Sequence, residues 1–484
     1  MSPPEALTTL PSGLHVAGEM RPTSSGGVMA HVNPATGKPQ REVVLAGVAE
    51  VDAAVAAARA ALADWGAWHP ARRRDALLNF SRLVRARAAE LVPMVALETG
   101  TPIAVAGGLT ELCSSWTDAA AVCVEHLHGQ VIDHGPGVFD YTRVEPVGVV
   151  AVIITWNAPL GSFGMCVSPA LAAGCTIVVK PSELAPFTCL ALAQLCEEAG
   201  IPPGVVNVIP GGPEAGAALV AHPDVAKISF TGGTATARKI AAAAGETLKP
   251  LVLELGGKSA NVVFDDADVS AAVAHATSII GLAGQGCTLP SRLLVQEGVY
   301  EQVAQGVAEA MAAVPVGDPF DPGSLVGPVI NQSACERIEG MIDRAKTDSR
   351  LLAGGGRLGG PLADGYFISP TVFADVDPVS ELARREVFGP VLAVIPFRDE
   401  TQAIEIANDT EYGLAGYIHT RDLGRAHRVA AALDAGNIGV NGGGAPAGPH
   451  APFGGVKQSG YGREGGLAGV LEFTRSKNVQ IQLH

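Results

Sequence analysis

Apolar residues recur at i, i+3 and i+4 along two Ala- and Arg-rich stretches near the start of the chain, Val51 to Trp65 and Arg73 to Gly100. That spacing predicts amphipathic helices, the second stopped by Gly100 and Pro102. The first thirty or so residues, with their Pro, Gly and Ser, read as an irregular arm. From Val147 the period changes. Short β-branched runs (Val147 to Thr155, Cys175 to Ser182, Val205 to Gly211, Ala226 to Gly233, Leu251 to Gly257) alternate with helical patterns near Met165 to Ala173, Thr188 to Ala199, Ala215 to His222 and Thr234 to Ala244. Repeated strand–helix units imply a mostly parallel sheet with helices on both faces, and continuous apolar runs fit strands buried on both sides.

A second α/β series follows a break near Gly256-Gly257. It comprises Asn261 to Phe264, a helix up to Ala283, Arg292 to Val295, a helix near Glu301 to Val314, and Val391 to Phe397. The tail FTRSKNVQIQLH alternates like an edge strand. A length of 484 residues suits two or three domains, and 48% hydrophobic with 17% charged residues suits large buried cores. A net charge of −15 points away from nucleic acid and anionic membranes. No apolar run approaches the roughly 18 residues of a membrane span, and no signal-peptide pattern opens the chain, so a cytoplasmic protein is expected. The eight cysteines form no CxxC pair, which argues against a zinc ribbon or redox motif. His126, His128 and His134 cluster without an HExxH pattern and read as solvated or interface histidines; no metal is expected.

Ligands of such sheets bind beyond the carboxyl ends of the strands. The strict GxGxxG match, Gly354 to Gly359, precedes no helical pattern and reads as a turn. A second phosphate candidate is FTGGTATARKI, where a strand passes through Gly232 and Gly233 into a helix start at Thr234. KPSE ends another strand, with Lys180 and Glu183 placed to bridge a ribose diol; an exposed turn reads equally well. Cys287, in GQGCTLPSR, sits among small neighbours after a helical pattern. Taken alone it is either an inert buried thiol or a nucleophile. Glu254 lies inside an apolar strand, where a lone acid is costly unless paired or functional, and a raised pKa would suit a general base. Asn157 ends the first strand of the series.

In order, TWNAPLG, GCTIVVKPSE, FTGGTATARKI, LELGGKSANVVFDDAD, AGQGCTLPSR, VGDPFDPGSLVGPVI, EVFGPVLAVIPF and APFGGVKQSGYGRE resemble the aldehyde dehydrogenase superfamily, from Val32 to nearly the end. The resemblance implies an α/β, aldehyde dehydrogenase-like fold. Its parts would be a Rossmann-type NAD-binding domain (residues 1–125 and 146–256), an α/β catalytic domain (257–457) and a small β oligomerisation element (126–145 and 470–484). It implies Cys287 as nucleophile, Glu254 as general base, Asn157 as oxyanion donor beside the Cys287 backbone N–H, and Glu464 as a proton-relaying acid. Lys180, Ser182 and Glu183 would meet the adenosine ribose, and Gly232, Gly233 and Thr234 the pyrophosphate. Trp156, Leu255, Glu386 and Phe388 would complete the cofactor site. The cofactor implied is NAD rather than NADP, because a carboxylate at Glu183 disfavours a 2′-phosphate. The partners implied are a small aldehyde and further copies of the chain, as homodimer or homotetramer.

Three positions depart from the family pattern. Gly233 stands where many members have Ser, Cys166 where many have Lys, and Leu282 where many have Asn. Ala158, Met165 and the Gly- and Ala-rich loop Gly442 to Gly448 replace bulkier residues, which implies a wide apolar mouth for a bulky or long-chain aldehyde. No aromatic cage for a quaternary ammonium is apparent. A CoA-acylating or reductive relative, or a catalytically silent binding protein, are the alternatives; retention of Glu254 speaks against the first, and intact Cys287, Glu254 and Asn157 against the second.

Overall fold

The structure is a computed structural model that describes residues 7–8, 10–442 and 448–483. Its first sheet has eight strands, in the order Gly460–Tyr461, Leu251–Glu254, Val225–Thr231, Val149–Ile153, Thr176–Lys180, Val206–Val208, Leu14–Val16 and Glu19–Arg21. The central five pair in parallel. Every residue of Val149–Ile153 and Thr176–Lys180 is buried, and each fully buried Val or Ile contributes ~1.5–3 kcal/mol by leaving water. The five alternating runs of the sequence form these strands, slightly shortened. Their helices are Pro159–Ala173, Phe187–Glu198, Pro213–Ala221 and Thr234–Gly245.

Strand order reverses at Val149–Ile153. The chain moves outward on one side through Thr176–Lys180 and Val206–Val208, then returns to the other side with Val225–Thr231. The two connections diverge there and open a crevice at the carboxyl ends. The second sheet has seven strands, in the order Arg350–Ala353, Thr371–Ala374, Val391–Phe397, Arg292–Gln296, Ala260–Val263, Ala415–His419 and Asn437–Val440. All pair in parallel except the first. A third sheet joins Val131–Ile132, Val138–Pro146 and the C-terminal strand Thr474–Gln482. Among the described residues no single helix is long and apolar enough to cross a membrane.

Three expectations need correction. The N-terminal arm is not irregular throughout: Leu14–Val16 is wholly buried and extends the first sheet through His15 and Val208. Three residues are too few to show a period. The stretch Arg73 to Gly100 is two helices, Pro70–Ala86 and Ala88–Thr99, broken at Arg87; apolar periodicity continues across the break and nothing local marks it. Gly100 and Pro102 do stop the second, but a further helix, Ile103–Cys123, follows. The helix expected to reach Ala283 ends at Thr277. Beyond it Leu282, Ala283 and Gly284 all take positive φ, a conformation that costs a residue bearing a Cβ ~1–2 kcal/mol.

Candidate active site

Asn157 follows the central strand Val149–Ile153, just before the helix Pro159–Ala173. Pro159 starts that helix with a φ already suited to it, and Gly174, at φ 92°, ends it. Ser162, Met165 and Cys166 lie on its cavity face. The Asn157 Nδ2 donates to the Gln285 carbonyl at 2.7 Å, which leaves its second N–H free. Gln285 in turn fixes the loop before Cys287: its Nε2 donates to the Leu282 carbonyl at 3.0 Å and its Oε1 accepts from the Ile330 N–H at 2.9 Å. Beyond the thiol, Tyr417 donates to the Thr288 carbonyl at 2.8 Å. Cys287 is therefore held from both sides. Of the eight cysteines it alone is not fully buried.

Cys287, Glu254 and Asn157 line one cavity of about 360 Å³, together with Glu386, Phe388, Glu464, Trp156 and Leu255. Burial drives the Glu254 carboxyl well above its ordinary range, and the nearby Glu464 and Glu386 add to this. The Cys287 thiol is raised too, first by burial and then by Glu254. Glu464 sits at about 7 because it is buried. Its backbone pairs with that of Phe453, at 2.6 and 2.7 Å, and its Oε1 accepts from the Cys166 thiol at 3.2 Å. Cys166, standing in place of a cation, is thus a neutral donor to an acid, and it also lies 3.6 Å from the Thr231 hydroxyl.

A second cavity of about 590 Å³ is walled by Lys180, Ser182, Glu183, Gly212, Gly216 and Lys239. It shares Thr155, Trp156, Thr231, Gly232 and Gly233 with the first. Its features suit a dinucleotide. A half-buried carboxylate, Glu183, stands at a strand end; Gly233 begins a helix that no side chain caps; and a Cβ at Gly233 would meet nothing within 4 Å. The Lys180 ammonium, depressed by burial, donates to the Pro181 and Gly211 carbonyls. Glu386 accepts from the Gly257 N–H at 3.0 Å, and Phe388 meets Trp156 edge-on with centroids 5.5 Å apart. Thr234 is the predicted residue that does not reach either wall. Its hydroxyl donates instead to the Gln458 carbonyl at 3.2 Å, because the first helical turn points it at the following loop.

Sequence reasoning missed Leu112, Trp116 and Phe453, which cluster with Leu414, Met165 and Cys287. Trp116 and Phe453 meet edge-on with centroids 6.1 Å apart. Leu112 and Trp116 belong to the unrecognised helix Ile103–Cys123; its apolar periodicity was the available signal. Ala158 and Met165 are in the wall as expected, while residues 443–447 of the Gly-rich loop lie outside the described residues.

Comparison with known proteins agrees with this arrangement. A model described as the aldehyde dehydrogenase family matches residues 21–479. An aldehyde dehydrogenase of Enchytraeus buchholzi is 41% identical over 95% of this chain and 93% of its own. A mitochondrial succinate-semialdehyde dehydrogenase of Arabidopsis thaliana is 41% identical over 92% and 85%. The NAD+ complex structure of an aldehyde dehydrogenase from Bacillus cereus superposes with a TM-score of 0.96 at 36% identity, covering 100% of this chain and 99% of that one. With the fold, the cavities and these matches together, the chain belongs to the aldehyde dehydrogenase family.

Proposed function

We propose that this protein oxidises an aldehyde to its carboxylic acid with NAD through a thioester on Cys287. The observation that carries the reading is the convergence of Cys287, Glu254 and Asn157 on one cavity that opens into a second of dinucleotide size. Glu254, whose raised pKa makes it a competent proton acceptor, takes the Cys287 proton. The sulfur adds to the aldehyde carbon. The free Asn157 N–H and the Cys287 backbone N–H receive the developing alkoxide; one such donor is worth ~3 kcal/mol of barrier. NAD, held when bound by the residues named below, would supply the hydride acceptor for that carbon. Once Glu254 has passed that first proton on to solvent by way of Glu464, it draws a proton from the water that cleaves the thioester.

Lys180, Ser182 and Glu183 would hold the adenosine ribose, and Gly232 and Gly233 would face the pyrophosphate. Trp156, Leu255, Glu386 and Phe388 would flank the nicotinamide half. The Glu183 carboxylate favours a ribose diol over a 2′-phosphate, hence NAD over NADP. The residue groups 1–125 with 146–256, 257–457, and 126–145 with 470–484 would act as cofactor, catalytic and oligomerisation units of a cytoplasmic homodimer or homotetramer. The apolar wall of Leu112, Met165, Trp116 and Phe453 supports a bulky apolar aldehyde. The test is formation of reduced cofactor, with NAD or NADP, across aldehydes from acetaldehyde to long-chain and aromatic ones. NAD-dependent turnover that rises with apolar size supports the whole reading. Turnover only with added coenzyme A would replace hydrolysis by acyl transfer, and none with any aldehyde would overturn it.

A further inference from the structure

Charge is distributed unevenly around the catalytic cavity. Three carboxyl groups line its described wall, Glu254, Glu386 and Glu464, and no lysine, arginine or histidine does. Residues 443–447, which lie outside the described residues, are Gly-Gly-Ala-Pro-Ala and carry no ionisable side chain. Lys258 and Arg337 act electrostatically on Glu386, but neither reaches the wall. Cys166 occupies the spot beside Glu464 with a neutral thiol at 3.2 Å. The wall near Cys287 also carries the apolar side chains Leu112, Trp116, Met165 and Phe453 beside the uncharged Asn157, Ser162 and Thr288.

Such a chamber resists even its own negative charge: burial raises Glu254, Glu464 and Glu386 alike. A substrate carboxylate drawn in beside Cys287 would shed its water, find no cation, and face three acids whose ionised forms the cavity already disfavours. A neutral apolar or aryl tail loses nothing on entering and buries its surface.

Resting on the proposed aldehyde oxidation, we infer that the cavity is a charge filter: it takes neutral apolar or aromatic aldehydes and rejects aldehydes that carry a second, anionic group. The discriminating element is the wall of Leu112, Trp116, Met165 and Phe453 together with the absence of a cation in the described lining, so the cavity disfavours an anion as well as attracting an apolar tail.

A matched pair tests it: methyl 4-formylbenzoate against 4-formylbenzoate with NAD. The neutral ester is expected to show kcat/KM roughly 100-fold or more above the carboxylate; equal values, or preference for the carboxylate, overturn the filter. A second readout does not depend on turnover. Cys287, the one cysteine not fully buried, is alkylated with iodoacetamide and with iodoacetate, each rate divided by its rate with free cysteine. A further preference of about tenfold or more for the neutral reagent is expected from the cost of burying an unpaired anion, and equal corrected rates overturn the filter. If neither aldehyde turns over but the alkylation preference holds, the oxidation reading fails while the filter stands. Leu112→Arg, which sets a guanidinium in the wall, is expected to shrink both ratios by about tenfold; unchanged ratios in a folded variant count against the inference.

Discussion

Burial raises both Cys287 and Glu254, and the charge of Glu254 raises the thiol further. Removing the sulfur in Cys287→Ala is expected to lower turnover by roughly 10⁴-fold or more, read as reduced-cofactor formation, with thermal stability preserved. Glu254→Gln is expected to leave acylation partly intact and slow thioester hydrolysis by about 10²–10⁴-fold; rapid-quench trapping of acyl-enzyme checks it, and failure to accumulate it contradicts the role. Cys166 carries the sharper consequence. Glu464 rests at about 7 with only a thiol beside it. A lysine there would favour the carboxylate and lower the pKa of Glu464, and its own positive charge would offset the upward push of Glu464 on Glu254. The sign follows: the acidic limb of the kcat profile belongs to a base that must be deprotonated, so Cys166→Lys moves that limb to lower pH by about one unit or more. An unmoved or alkaline-shifted limb would show that Glu464 is not coupled to the rate. At Gly233 the space for a side chain is open, so Gly233→Ser should lower the cofactor Kd, measured by titration, without changing kcat.

At the scale of elements, the site depends on two turns. One is the run Leu282, Ala283 and Gly284 before the nucleophile, all at positive φ; a Cβ at Gly284 would strike the Gly389 backbone at 2.0 Å, so this turn cannot be rebuilt with larger residues. The other is Gly256-Gly257, where a Cβ on Gly256 would meet Glu386 Oε2 at 2.3 Å. Gly256→Ala is expected to displace Glu386 and raise the KM for cofactor several-fold while sparing alkylation of Cys287; if the KM holds, Glu386 does not position the cofactor. Much of this was legible in the chain. Alternating apolar runs located the parallel strands, whereas Cys287 and Glu254 were ambiguous as single residues and were singled out by the family resemblance. What escaped had physical reasons. Thr234 has its hydroxyl turned to Gln458 by a local backbone geometry that composition does not report. Trp116 reaches the site from a helix remote in sequence, so only the tertiary packing of Ile103–Cys123 against Pro159–Ala173 brings it there. The end of the helix at Thr277 was hidden because the apolar residues Ile279, Ile280 and Leu282 continue the periodic pattern through a backbone that has already left the helix.

For the whole molecule, the C-terminal strand ties the end of the chain to its middle. Thr474–Gln482 pairs with Val138–Pro146 along its full length, and just before it the Lys227 ammonium donates to Glu472 at 2.8 Å from beneath the Phe473 ring. Ion pairs of Arg475 and Lys477 with Glu145 lie near the surface and contribute little to stability. The apolar side chains are more telling. Phe139 is the direct partner of Ile481, and Val131 that of Tyr141; partners and alternate residues share a face, and Val131, Phe139 and Ile481 are all exposed on it. A small sheet that shows water such a row is poised to pair with another copy, which is the physical content of the proposed oligomerisation element. Phe139→Lys combined with Ile481→Lys puts two like charges on directly opposed positions of that face without touching Phe473 or Lys227. The variant is expected to stay folded and to lower the solution mass by at least half in light scattering, with the midpoint then dependent on protein concentration. A folded variant of unchanged mass would move the contact to another surface.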